Sequence, residues 1–174
     1  PQSLWQKAAA LADLPIRWHL IGHLQRNKAR RTLPLTSLLH SLDSERLLLA
    51  IDEEAAALSL VGPAAALLEV NVSGDPNKHG VRPSDAAQLL ERAAACPRVK
   101  VVGLMCMAGG EGGDVEARRE FASLRELRDR LQTQFAGRFD LPQLSMGMSG
   151  DFEIAIEEGA SLVRIGSALF EEPG

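Results

Sequence analysis

Six times along this chain a short apolar run gives way to an amphipathic or polar one, and that alternation limits its fold more than any other feature. The apolar runs are "RWHLIG" (17–22), "SLLHSLDS" (37–44), "ALLEVNVSG" (66–74), "VKVVGLMCMAGG" (99–110), "LSMGM" (144–148) and the start of "VRIGSALF" (163–170). Their leucines and branched residues, bounded by glycines, prolines and polar turns, predict strands. Helices are predicted over 4–14, over 45–61 up to Gly62-Pro63, over 85–96 with Ser84 as cap, over 116–135, and from Phe152 through Ile156. "LQRNKARR" (24–31) reads as a polar helical turn stopped near Pro34. Strands alternating with helices form a parallel sheet buried on both faces. Two architectures compete, an open doubly wound sheet and a closed (β/α)8 barrel. The first wants a GxGxxG turn after its first strand, which this chain lacks. The second wants eight strands and typically ~250 residues.

Composition narrows the function classes. The 174 residues carry a net charge of -4, which leaves no basic footprint for nucleic acid. No apolar run is long enough to cross a bilayer and no leader opens the chain, so no membrane role is expected. Cys96 and Cys106 form no CxxC pair, which predicts a reduced, cytoplasmic setting. His19, His23, His40 and His79 lie in separate segments, so no metal site is expected. No linker or composition break divides the chain, and residues 1–174 are expected to form one domain.

The chemistry concentrates in two loops. In "SMGMSGD" (145–151) a strand hands over to a helix, with Ser149 placed as N-cap and Gly147 and Gly150 letting backbone approach an anion. By itself this is also an ordinary cap, with Asp151 and Glu153 complementing the helix dipole. The second loop changes the reading. "VRIGSALF" ends a strand at Arg164 and offers Gly166 and Ser167 at the mouth of a short terminal turn. In barrels the loops after the last two strands, with a short extra helix, form the recurrent phosphate site. Arg164 either reaches a bound ligand or pairs a buried acid such as Glu69 or Asp151.

"WHLIGHLQRNK", "HSLDS", "NVSGDPNKHG", "GLMCM", "LSMGMSGDFEIAIEEGA" and "VRIGSALF" occur in the order and spacing found in the pyridoxal phosphate homeostasis proteins, which the chain resembles over essentially its whole length. The resemblance implies an α/β fold, a TIM-type barrel like the N-terminal domain of alanine racemase, with about six of eight βα units present. It implies a non-catalytic carrier of pyridoxal 5'-phosphate (PLP) in vitamin B6 homeostasis, monomeric, with PLP-dependent apoenzymes as recipients. Ser149, Gly166 and Ser167 match the phosphate-holding positions, flanked by Met148 and Gly150, and Arg164 matches the arginine facing the pyridine nitrogen. A cation there keeps that nitrogen unprotonated and the ring a weak electron sink, which suits a carrier, although racemases of this fold use the same arginine. His23 is expected at the mouth. Lys78 matches a lysine of a rim loop and reads either as a transient aldehyde trap or as a solvated side chain. The family's Schiff-base lysine, on the first barrel strand, matches none of Lys7, Lys28, Lys78 and Lys100. The chain is therefore expected to lack the first two βα units, an asparagine on the second strand and a C-terminal segment.

Three other functions compete. A PLP-dependent racemase needs a catalytic lysine and a tyrosine from a second domain, and the chain contains no tyrosine. A barrel enzyme acting on another phosphorylated metabolite needs a carboxylate pair, and Asp43 and Glu69 form no evident one in sequence. The last alternative is an inactive fragment of the carrier. Cys106 is expected to be structural, facing either the barrel interior or its helical coat.

Overall fold

The computed structural model describes residues 1–109 and 112–169; Gly110, at the end of an expected glycine loop, and Phe170, at the end of the last motif, lie outside the described residues. Six strands form one sheet: β1 (His19–Leu20), β2 (Leu38–Leu42), β3 (Ala64–Glu69), β4 (Val99–Met105), β5 (Gln143–Met148) and β6 (Leu162–Arg164). Spatial order equals chain order and all five neighbouring pairs are parallel. A doubly wound sheet reverses its order at a switch point. No reversal occurs here, so the winding is that of a partial (β/α) barrel, with β1 and β6 as its edges. The helices are α1 (Gln2–Ala10), α2 (Ala29–Thr32), α3 (Glu45–Ala57), α4 (Ala86–Ala93), α5 (Gly113–Gln134) and α6 (Phe152–Glu157).

The two faces of the sheet differ. Between sheet and helices lies the larger core, in which Leu42, Leu68, Leu104 and Met146 meet Leu48, Ile51, Leu90, Phe121 and Leu124. The concave face carries a smaller plug of Leu38, Leu67 and Met105, against which Ala65, Val102, Met107 and Leu162 pack. Burial on both faces explains why these strands read as nearly continuous apolar runs rather than alternating ones.

Several helix starts depart from expectation. Ser44 caps α3 by accepting from the Leu47 N–H at 3.3 Å. Ser84 caps nothing: Pro83 opens a 3-10 turn over Pro83–Asp85, the N-cap of α4 falls on Asp85, and the Ser84 hydroxyl donates to Asp85 Oδ1. Ser149 is not an N-cap either, because α6 starts at Phe152 with Asp151 in the cap position. The third strand stops at Glu69, and beyond it Asn71 organises a turn, its Oδ1 accepting from the Gly74 N–H at 3.0 Å and its Nδ2 donating to the Asp75 carbonyl at 2.7 Å.

Three bulges re-aim the strands, and in the first, between β2 and β3, the register advances from Leu39↔Ala66 to Leu42↔Leu68. Between β3 and β4 the register advances from Ala66↔Val101 to Leu68↔Leu104, so β4 carries one extra residue. Gly103 falls in this stretch, and a Cβ there would lie 2.0 Å from the Gln143 carbonyl oxygen. The bulge turns Met105 into the concave plug and Cys106 into the helical coat, where burial pushes the Cys106 thiol up to about 12. Between β5 and β6 the register advances from Ser145↔Leu162 to Met148↔Arg164, with Gly147 at φ +89 in the longer strand. A methyl group cannot be accommodated at residue 103, so Gly103→Ala is expected to cost about 2–3 kcal/mol in urea denaturation, at the upper end of overpacking effects.

Candidate functional site

Above the apolar plug the concave face turns polar, and its centre is Arg164 at the end of β6. Arg164 is 8% exposed. Its Nη1 donates to Ser145 Oγ at 2.8 Å and its Nη2 to the Cys106 carbonyl at 2.9 Å. Ser145 lies 2.9 Å from His40 Nδ1, and His40 Nε2 lies 3.1 Å from His19 Nδ1. Arginine has only donors. The Ser145 hydroxyl therefore accepts from Arg164, and it shares a hydrogen bond with His40 Nδ1 as His40 Nε2 does with His19 Nδ1, one proton lying between the two atoms of each pair. This relay links β6, β5, β2 and β1.

Burial sets the charges along it. Desolvation, then the fields of His19 and Arg164, hold His40 down at about 4. Desolvation, then the adjacent Asp43, push the Glu69 carboxyl up to about 7 against the opposing pull of Arg164. Burial also lowers Arg164, against the pull of Cys106, Asp151 and Glu69. Among the described residues, two buried atoms of this layer have no hydrogen-bond partner, Arg164 Nε and Glu69 Oε2. Arg164 thus feels Glu69 and Asp151, but no ion pair joins it to either among the described residues.

The two loops singled out in the sequence meet at the carboxyl ends of β5 and β6. Ser149 Oγ accepts from the Gly166 N–H at 3.1 Å, and this bond joins them. Asp151 folds its own loop back, accepting on Oδ1 from the Met148 N–H at 2.6 Å. Cβ atoms added at Gly150 or Gly166 would meet nothing within 4 Å, so both glycines border open space. Ser167 is exposed and opens the 3-10 turn Ser167–Leu169. Met148 is 48% exposed beside them. With six residues α6 has little dipole to offer, so any anion here is held by backbone N–H groups and hydroxyls. Glu157 and Glu158, at the far end of α6, pair with Arg118 and Arg125 of α5 and fix the helix in place.

The other expected residues sit elsewhere on the rim. Lys78 is half-buried, its Nζ donating to the Met107 carbonyl at 3.3 Å just past β4. His23 follows β1, is exposed, and places Nδ1 3.0 Å from Asp43 Oδ2. Sequence reading overlooked Ser145 and the role of His40. Both are polar residues inside otherwise apolar strands, which was the available signal.

A family model described as "Alanine racemase, N-terminal domain" matches residues 5–172. The pyridoxal phosphate homeostasis protein of Aquifex aeolicus is 44% identical over 171 residues, covering 98% of this chain and 73% of that protein. The chain belongs to the pyridoxal phosphate homeostasis protein family. The mouse member is 36% identical, with 98% of this chain and 65% of that protein covered. Among solved structures, PipY of Synechococcus elongatus without PLP superimposes with a TM-score of 0.91 at 37% identity, over 98% of this chain and 78% of PipY. PipY with PLP bound gives 0.88 at 35% identity, over the same shares. An alanine racemase of Clostridium difficile, 11% identical at a TM-score of 0.78 with 97% of this chain and 44% of that one covered, shares the fold.

The relay yields a pH prediction. A histidine held near 4 takes up its proton more readily when unfolded, so His40 lowers stability as pH falls from 6.5 towards 4. A carboxyl held near 7 loses its proton more readily when unfolded, so Glu69 lowers stability as pH rises from 4.5 towards 7. Each effect is worth ~3 kcal/mol, and they offset each other over the shared window. Relative to the parent chain, Glu69→Gln should lose stability on acidification and His40→Asn should lose it as pH rises, both read as urea midpoints at pH 4.5, 5.5 and 6.5.

Proposed function

We propose that this chain holds PLP at the carboxyl-end rim as a carrier in vitamin B6 homeostasis and catalyses no reaction with it. The observation that carries the reading is the buried Arg164 Nε, a donor without an acceptor, beneath two loops whose glycines border open space. An unmade bond to a buried charged donor is costly, and a pyridine nitrogen is an acceptor of the right kind. The residues present fit the cofactor. Ser149, Gly166 and Ser167 hold the phosphate, Arg164 faces the ring nitrogen, and Met148 and Gly150 border the loops. PipY, solved with PLP bound, supports this reading through its similarity to the chain.

PLP supplies an aldehyde and an electron-withdrawing ring when bound. This chain's own residues bind and orient it and provide little else. A donor on the ring nitrogen leaves that nitrogen unprotonated, which blunts the ring as an electron sink. His40 is neutral at pH 7 and spends both ring nitrogens within the relay. No tyrosine exists in the chain to act as a second acid–base group. Lys78 is a rim lysine already engaged with a carbonyl, and it assists capture without being the anchor. Transfer to PLP-dependent apoenzymes by a cytoplasmic monomer completes the reading. The chain shows no helix among its described residues long and apolar enough to cross a membrane.

A PLP titration followed by absorption, with borohydride trapping and peptide mapping, tests the assignment. Ser149→Ala combined with Ser167→Ala should weaken PLP binding at least tenfold, about 1.4 kcal/mol, and more than Lys78→Ala does. Equal or reversed effects would remove the two loops from the phosphate. Arg164→Gln should shift the absorption of bound PLP while circular dichroism shows a retained fold, and an unchanged spectrum would take Arg164 off the ring.

A further inference from the structure

Away from the phosphate loops, the rim gathers three side chains that sequence scatters. His23 follows β1, Asp43 follows β2 directly, and His79 lies in the loop after β3. Neighbouring parallel strands lie about 4.8 Å apart, so residues just past their carboxyl ends become neighbours whatever their separation in the chain. One ligand atom from each of the three lies within 4.8 Å of the other two. The rings of His23 and His79 stack at 4.4 Å with an interplanar angle of 14°.

The arrangement is held from behind. Asp43 Oδ1 accepts from the Ser44 hydroxyl at 2.9 Å, and Ser44 is itself fixed as the cap of α3. Asp43 Oδ2 is thereby turned to His23, 3.0 Å from Nδ1. Ser41 Oγ donates to the Gly22 carbonyl at 2.9 Å and pins the backbone before His23. The His79 loop is tied across the end of β3 by Asn71 N–H to the Val81 carbonyl and Val81 N–H to the Glu69 carbonyl, at 2.9 and 2.8 Å. Oriented donors backed by a fixed outer layer are what metal sites use. Stability does not account for the grouping, since an exposed pair such as His23–Asp43 is worth about 0–1 kcal/mol.

We propose that His23, Asp43 and His79 form a coordination site for a divalent metal ion of the zinc class at the barrel rim. Two imidazoles and one carboxylate suit zinc, cobalt or copper and not calcium or magnesium, which want more oxygen ligands. Arg26 and Arg46 line the adjoining cavity of about 530 Å³ with His23 and Asp43. Their charge opposes ions held by charge alone and leaves imidazole coordination to decide the selectivity. Both histidines are exposed, so the remaining coordination positions face solvent and take water or an anionic ligand drawn by those arginines.

The test is a cobalt(II) titration of the tag-free, chelator-treated chain in phosphate-free buffer without PLP, read by visible absorption, with zinc binding measured by calorimetry. The expected result is one saturable ion per chain with d–d bands of nitrogen and oxygen coordination. His23→Ala and His79→Ala should each weaken binding at least tenfold, with circular dichroism unchanged because both side chains are exposed. Lack of saturation by 100 μM cobalt, on the order of the weakest useful site, would overturn the proposal. So would unchanged affinity in both variants, or a thiolate-to-cobalt band that places the ion on Cys96 or Cys106.

Discussion

A charged arginine, Arg164, at 8% exposure is the constraint around which the concave face is arranged. Burying Arg164 is tolerable only where its donors find acceptors, and each acceptor comes from a different strand. Ser145 is available because β5 sends its leucine and methionine neighbours outward and its serine inward, and the bulge near Gly147 then brings Met148 level with Arg164. The Cys106 carbonyl is available because the bulge at Gly103 sets the end of β4. His40 extends the network to β2 and His19 carries it to the edge at β1. Loss of the arginine would leave the Ser145 hydroxyl and the Cys106 carbonyl without their buried donor.

Charge is managed in the same layer. At neutral pH His40 is neutral and Glu69, held near 7, is only partly ionised, while Asp151 also acts on Arg164. Asp151 turns its carboxylate onto its own loop, its Oδ1 accepting from the Met148 N–H. Hydroxyls and N–H groups at the opening of the β5 and β6 loops suit an anion without a lysine or arginine touching it.

Most of the fold was legible in the sequence, since βα alternation and fully apolar strands determine a parallel, helix-covered sheet. The choice of barrel over open winding came from the family resemblance and not from periodicity, because strand order is a long-range property that periodicity does not encode. The bulges were invisible for a related reason: Gly103 looks like any strand glycine until the Gln143 carbonyl is brought against it. Of the candidate site, Ser149, Arg164 and Gly166 were found by loop chemistry, and the structure joins the first and last by a hydrogen bond. The capping roles of Ser149 and Ser84 failed by two residues or fewer. Helix starts depend on local turns such as the one Pro83 opens, and on an aspartate better placed to close the loop. Ser145 and His40 escaped notice because a serine and a histidine in apolar strands signal a buried network only once their partners, 105 residues apart, are known.

The rim divides into two halves with different chemistry, and the division follows from winding. Strands β5 and β6 end in glycine–serine loops that offer donors and open space. Strands β1 to β3 end in side chains that face one another, His23, Asp43 and His79. Each half ends in one partly orphaned buried group, Glu69 on β3 and Arg164 on β6. On the proposed reading this layout separates gripping from chemistry. The phosphate is held by neutral donors at an exposed edge, from which release is easy. The ring is set over an arginine that damps its reactivity, and the relay behind it has no proton to give at neutral pH. A site built this way retains a reactive aldehyde cofactor by geometry and lets it go without a chemical step, which is what a carrier requires and what a racemase on the same fold must avoid.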